Sequence, residues 1–261
     1  MSETAFQLQR LLRVRANDAG DAAEVRERSA SEDEGGHEGG QNGRERFLVE
    51  FSSATRRLGK KPLALEEDER ASLRAAGITW SLDAWGLDEL GRAIALVRLA
   101  PLVSSGRWTA DALKELVREC YTRGDNRERT AVLRALPLLL RSFSESHLEP
   151  GLELGAERFV PLAVEACRTH VDTIFRAICC DNPFPADHFP ESNFCQMVIK
   201  ALFTGASVPR IVGLEGRISS ELIRMAEGFE SERRAAGRAL PGDLAYLLNM
   251  ARERNTHEPT R

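Results

Sequence analysis

The side chains best equipped for chemistry gather in one stretch. Residues 179–205 read CCDNPFPADHFPESNFCQMVIKALFTG and hold three of the five cysteines, with His188 and several carboxylates among them. Thiolates and imidazoles ligate zinc, and a histidine beside a cysteine can activate it as a nucleophile. The spacing here favours a structural turn leading into a buried helix. Cys179 and Cys180 are adjacent, neighbouring thiolates do not easily reach one tetrahedral ion, and a CxxC step is missing. His188, Glu191 and Cys195 follow at helical steps, but Pro190 places His188 before the helix start. Cys167 and His170 share another helical step, which suits a thiol–imidazole pair or a hydrogen-bonded histidine at the edge of an apolar stripe. Five irregularly spaced cysteines read as free thiols rather than a disulfide framework. GxGxxG, HExxH and GxSxG are absent, and RRLGKKP lacks the first glycine and the hydroxyl of a P-loop. No catalytic residue, metal ligand or cofactor is therefore expected.

The elements that would carry these residues are helical. Phe6, Leu8, Leu11, Leu12 and Val14 suit an amphipathic helix over 4–16, within an N-terminal segment 1–28. Residues 29–43, SASEDEGGHEGGQNG, hold five glycines, four acidic residues and no large apolar side chain, and read as a disordered linker. Phe47, Leu48, Phe51 and Leu58 then mark a stripe stopped by Gly59. A short helix over 66–76 ends at Gly77, Ser81 caps a turn, and Asp88 is expected to cap the helix carrying Leu90, Ile94 and Val97. Further helices are expected from Thr109, over 127–141 with Pro137 kinking or shortening it, and over 157–180 with a break near Pro161. Asn182-Pro183 and Phe184-Pro185 predict an extended turn, and Pro190 opens the helix that buries Phe194, Val198, Ala201 and Leu202. Residues 219–237 and 242–252 are also helical in rhythm, and 254–261 read as a disordered tail. With no strand alternation or βαβ rhythm, the fold class is all-α: an irregular antiparallel helical array resembling HEAT or armadillo stacking.

The chain has 261 residues and a formal net charge of -4, with acidic and basic residues interspersed. That argues against a nucleic-acid surface, which needs clustered positive charge. No apolar run is long enough to span a bilayer, and the N-terminus lacks the apolar core of a signal peptide, so a cytoplasmic location is expected without membrane insertion.

Several ordered stretches carry a family resemblance. FSSATRRLGKKPLAL, WSLDAWGLDELGRAIAL, NRERTAVLRALPLL, NPFPADHF, QMVIKALFTG and IVGL together resemble the EboA family of metabolite-traffic proteins. The similarity runs over 47–214, more weakly to Phe229, and makes 44–253 an EboA-like helical domain. Asn182, Pro183, Pro185, Gln196, Lys200 and Gly205 match its motifs best, although Cys195-Gln196 stands where the resemblance implies an Asn-Gln pair. It implies a non-enzymatic role in moving a secondary-metabolite precursor towards the periplasm. It also implies partners from one gene cluster, a prenyltransferase-like membrane protein and TIM-barrel proteins. A small apolar or aromatic metabolite held between helices would meet Gln196 and Lys200 as polar contacts and Trp80, Trp85, Phe184 and Asn182 around them. Each of these also reads as packing: the aromatics as core, Gln196 and Lys200 as a polar edge between helices. A protein–protein scaffold is the alternative, and a thiol or metal enzyme a more remote one.

Overall fold

The computed structural model describes residues 2–18, 41–146 and 155–257. These residues form helices joined by short turns, with no β-strand among them beyond an isolated bridge between Pro62 and Gly86. The fold is all-α. None of the described helices is long and apolar enough to cross a membrane. Most of the segment read as a linker, and residues 258–261 of the tail, lie outside the described residues. Residues 41–43 open a helix, and residues 254–257 close one.

Backbone contacts divide the chain into two compact units, residues 1–159 and 160–261. The first contains α1 (Glu3–Asp18), α2 (Gln41–Leu58), α3 (Glu67–Ala75), α4 (Leu87–Val97), α5 (Ala100–Ser104), α6 (Ala110–Arg123) and α7 (Asn126–Glu145). Its core is built around α4, which packs against α1, α2 and α7. Every residue of α4 except Gly91 is buried, charged ones included. Gly91 leaves room for Leu58 of α2: a Cβ there would lie 2.2 Å from Leu58 Cδ1, so the leucine would have to shift. The helix begins at Leu87 with Gly86 as its N-cap, two residues earlier than an Asp88 cap would allow. Glu89 supplies the capping contact, its carboxylate accepting from the Gly86 N–H at 2.8 Å.

The caps of the neighbouring helices follow the sequence. Thr109 accepts from the Ala112 N–H at 3.0 Å to start α6, and Asp125 accepts from the Arg127 and Glu128 N–H groups at 2.8 Å each to start α7. α7 continues through Pro137 to Glu145, past the expected end at Arg141. An interior proline costs about 3 kcal/mol. Leu133, Leu136, Leu139 and Phe143 are all buried along α7 and oppose that cost.

The second unit contains α8 (Val160–Arg168), α9 (Asp172–Cys179), α10 (Phe184–His188), α11 (Glu191–Thr204), α12 (Ser220–Ala235) and α13 (Gly242–His257). The 157–180 stretch breaks twice: a 3-10 turn at Ala156–Arg158 gives way at Phe159 to α8, close to Pro161 as expected, and residues 169–171 separate α8 from α9. Pro161 is the second residue of α8, where its missing N–H has no partner to lose. The expected extended turn at Phe184 is a short helix instead, because Pro185 likewise occupies the first helical turn. Gly205 ends α11 at φ +74, a left-handed conformation that glycine adopts without a Cβ penalty.

Candidate functional site

In the first unit, α1 and α3 enclose a groove of about 320 Å³. The first turns of α1 pin it in place: Thr4 donates its N–H and hydroxyl to Glu145 at 2.9 and 2.8 Å, and the Ser2 and Ser142 hydroxyls lie 2.6 Å apart. Leu8 and Leu11 face the core, whereas Val14 is 45% exposed. α3 starts where Glu69 accepts from the Glu66 N–H at 2.8 Å and ends before Gly77, at φ +77. Leu11, Val14 and Leu73 give the groove an apolar lining, and Gln7, Arg10, Glu66 and Asp68 give it polar groups. Arg15 pairs with Glu69 across it, tying the two helices together. The arrangement suits a small molecule with an apolar body and hydrogen-bonding substituents. Nothing in the sequence brought α1 and α3 together, since their residues lie some fifty positions apart and neither carries a motif.

The six residues singled out from sequence lie elsewhere. Trp80 and Trp85 belong to the first unit. Trp85 is buried at 2% exposure with the Arg134 guanidinium 5.8 Å above its ring. Trp80 is half-buried, and its indole N–H has no hydrogen-bond partner among the described residues. The other four belong to the second unit. Asn182 is buried, donating to the Ala177 carbonyl at 2.9 Å and accepting from the Phe184 N–H at 3.0 Å, so it closes the turn between α9 and α10. Phe184 is wholly buried against His188 and Phe189. Lys200 donates to the carbonyls of Cys167 and Thr169 at 2.6 and 2.5 Å, and its ammonium sits 4.6 Å from the Phe175 ring centroid. The Cys167 carbonyl lies in the last turn of α8 and the Thr169 carbonyl just beyond it, where the helix leaves carbonyls without an internal partner and attracts a cation. Gln196 is exposed and shares the outer face of α11 with half-buried Ile199 and with Phe203, which is 70% exposed.

The thiols and imidazoles disperse. Among the described residues no group of three or more histidine, cysteine and acidic side chains is placed to hold a metal ion. His188 packs edge-on to Phe184, while the Cys195 sulfur lies 3.9 Å from the Ser219 hydroxyl. His170 is exposed, and no hydrogen bond joins it to Cys167 among the described residues. Burial pushes Cys167 and Cys120 up to about 12, which keeps both protonated at neutral pH.

Sequence reading missed a buried ionic cluster in the first unit. The Asp88 carboxylate, fully buried, accepts from Arg92 at 2.9 Å, from the Arg127 Nε at 2.8 Å and from the Thr55 hydroxyl at 2.7 Å. Arg92, 1% exposed, also donates to the Phe51 carbonyl at 3.0 Å and to the Thr55 hydroxyl at 2.9 Å. Burial alone would raise the Asp88 pKa, but the hydrogen bonds from Arg127, Thr55 and Arg92 outweigh it and bring it to about 2. Beside it, Glu89 accepts from Arg134 at 2.6 Å. The stretches FSSAT, WGLDELGR and NRERT thus meet at one point. The signal was present as an Asp–Arg pair at i, i+4 within a helix whose only other charged residue is Glu89.

Neither the curated proteins nor the solved structures give a match to this chain. The family model of the metabolite traffic protein EboA matches residues 37–249, and the chain belongs to the EboA family.

Proposed function

We propose that this chain serves metabolite traffic by binding a small amphipathic metabolite in the groove between α1 and α3. The family's name points to metabolite traffic. The observation that carries the finer reading is the groove itself, whose volume of about 320 Å³ lies at the small end of the range for ligand pockets. Leu11, Val14 and Leu73 would cover an apolar or aromatic body, while Gln7, Arg10, Glu66 and Asp68 would meet hydroxyl, amine or carboxylate groups at its edge. The binding is proposed as cytoplasmic and without turnover of the ligand. Delivery would be to proteins of the same pathway, a prenyltransferase-like membrane protein and TIM-barrel proteins. α1 precedes the matched residues, so one wall of the groove belongs to a part of the chain that the family model does not cover. Val14→Trp fills the groove from an exposed position. It is expected to abolish metabolite accumulation at the destination while leaving the melting temperature unchanged; unchanged traffic would refute the groove.

A scaffold reading has its own observation. Gln196, Ile199 and Phe203 give α11 an exposed, partly apolar face inside the motif QMVIKALFTG. On that reading Phe203→Ser abolishes co-purification with a pathway protein, and Val14→Trp does not.

A further inference from the structure

The Cys179 and Cys180 sulfurs are 3.7 Å apart at the end of α9, and neither the groove nor the α11 face uses them. We infer that Cys179 and Cys180 form a redox-modifiable dithiol that closes to a vicinal disulfide by exchange with a low-molecular-weight disulfide. Cys179 is fully buried, and Cys180 is 7% exposed, so an incoming disulfide reaches Cys180 first. The hydrogen-bond contact between the two sulfurs, in which either can donate, pulls Cys180 down and pushes Cys179 up. The guanidinium groups of Arg210 and Arg176 favour the Cys180 thiolate further, while burial and the Asp181 carboxylate oppose it. Arg210 is held over this corner by Asp181, which accepts from its Nε at 3.1 Å, and its side chain is 47% exposed. The site therefore pairs the less buried of two sulfurs, favoured as thiolate, with a resolving sulfur in contact behind it.

The chemistry balances with the named oxidant. The Cys180 thiolate attacks one sulfur of the small disulfide, forming a mixed disulfide and expelling a thiolate that takes up a proton. Cys179 then gives its proton to solvent, and its sulfur attacks the Cys180 sulfur, breaking the mixed bond and releasing the second small thiolate. Two protein thiols are oxidised and one small disulfide is reduced to two thiols. Closure brings the sulfurs from contact distance to about 2.05 Å. It removes the Cys180 thiol from the Ser207 carbonyl, 3.8 Å away. It also acts directly on the turn that continues through Asp181, at φ +50, into Asn182.

Oxidised glutathione, in excess and at mildly alkaline pH, is the probe for the full native chain. Excess oxidant is then removed, the chain is unfolded and blocked with N-ethylmaleimide, and its intact mass and the fragmentation of the peptide covering residues 177–200 are read. The expected product is lighter by one pair of hydrogens, with Cys179 linked to Cys180 and Cys195 blocked by maleimide. Cys179→Ser should hold glutathione on Cys180, and Cys180→Ser should react at this corner at least about tenfold more slowly than the wild type. If the native wild type keeps both thiols open to maleimide, or links them only in denaturant, the inference is overturned. Glutathione on Cys195 or Cys120 in preference to Cys180 also overturns it.

Discussion

Arg92 and Lys200 are both cations on helices rich in apolar side chains, and the two compact units neutralise them by different means. In the first unit Arg92 shares Asp88 with Arg127 and Thr55, so charge meets charge inside the core. In the second unit Lys200 meets only carbonyls of the α8 terminus, alongside the face of Phe175. Arg217 follows the same plan there, donating to the carbonyls of Ala186 and Phe189 beneath the Phe194 ring. Arg254 does so too, on the carbonyls of Glu215 and Ile218. A buried carboxylate makes a structure sensitive to acid and intolerant of losing either partner. A helix terminus is a fixed dipole that does not titrate, and the cation on it serves as a cap. Three motif stretches of the first unit therefore hold together an ion cluster, and the motif lysine of the second holds a chain break in place.

The largest test of that contrast is Asp88→Ala. It strands Arg92 and Arg127 without their anion and is expected to cost about 3–5 kcal/mol in urea denaturation. A cost near zero would mean that the cluster contributes no net stability. Lys200→Met keeps the aliphatic stem and removes only the ammonium, leaving carbonyls of Cys167 and Thr169 short of a donor. A loss of about 1–3 kcal/mol is expected, with hydrogen exchange rising at the end of α8 rather than throughout. If Lys200→Met disabled metabolite traffic at full stability, Lys200 would be a ligand contact after all.

Acid separates the two units directly. The folded state depresses the Asp88 pKa from 3.8 to about 2, so its contribution is complete above the unfolded value and is lost as pH falls through the folded one. Stability should drop by on the order of 2 kcal/mol between about pH 4 and pH 2. Asp88→Asn should flatten that dependence, and Lys200→Met should leave it as it is. The smallest effect is expected at Gly205, where a Cβ would meet nothing within 4 Å but φ is +74. Gly205→Ala should cost about 1 kcal/mol from backbone conformation alone, read as a modest shift in urea midpoint.

Much of this architecture was legible in sequence because its signals are local. Thr109 starts its helix by accepting from an N–H three residues on, and Gly59 and Gly77 are stops that need only a left-handed backbone. What escaped depends on partners far along the chain. Asp88 reads as a cap until Thr55 and Arg127 are seen on its carboxylate, each more than thirty positions away. The second break, between α8 and α9, escaped because Lys200, whose ammonium holds the carbonyls there, comes about thirty positions later. The groove is the extreme case. Phe6 and Val14 fit the apolar rhythm of α1, yet both are exposed, and only the placement of α3 makes Val14 part of a wall.

The most direct test of the binding reading is native mass spectrometry on the chain purified from its host with the neighbouring genes expressed, wild type beside Val14→Trp. A small-molecule adduct on the wild type, released on denaturation and missing from Val14→Trp, is the expected result, and its mass would narrow the ligand. A clean apo chain, or an adduct that survives the substitution, would contradict the groove as the site of carriage.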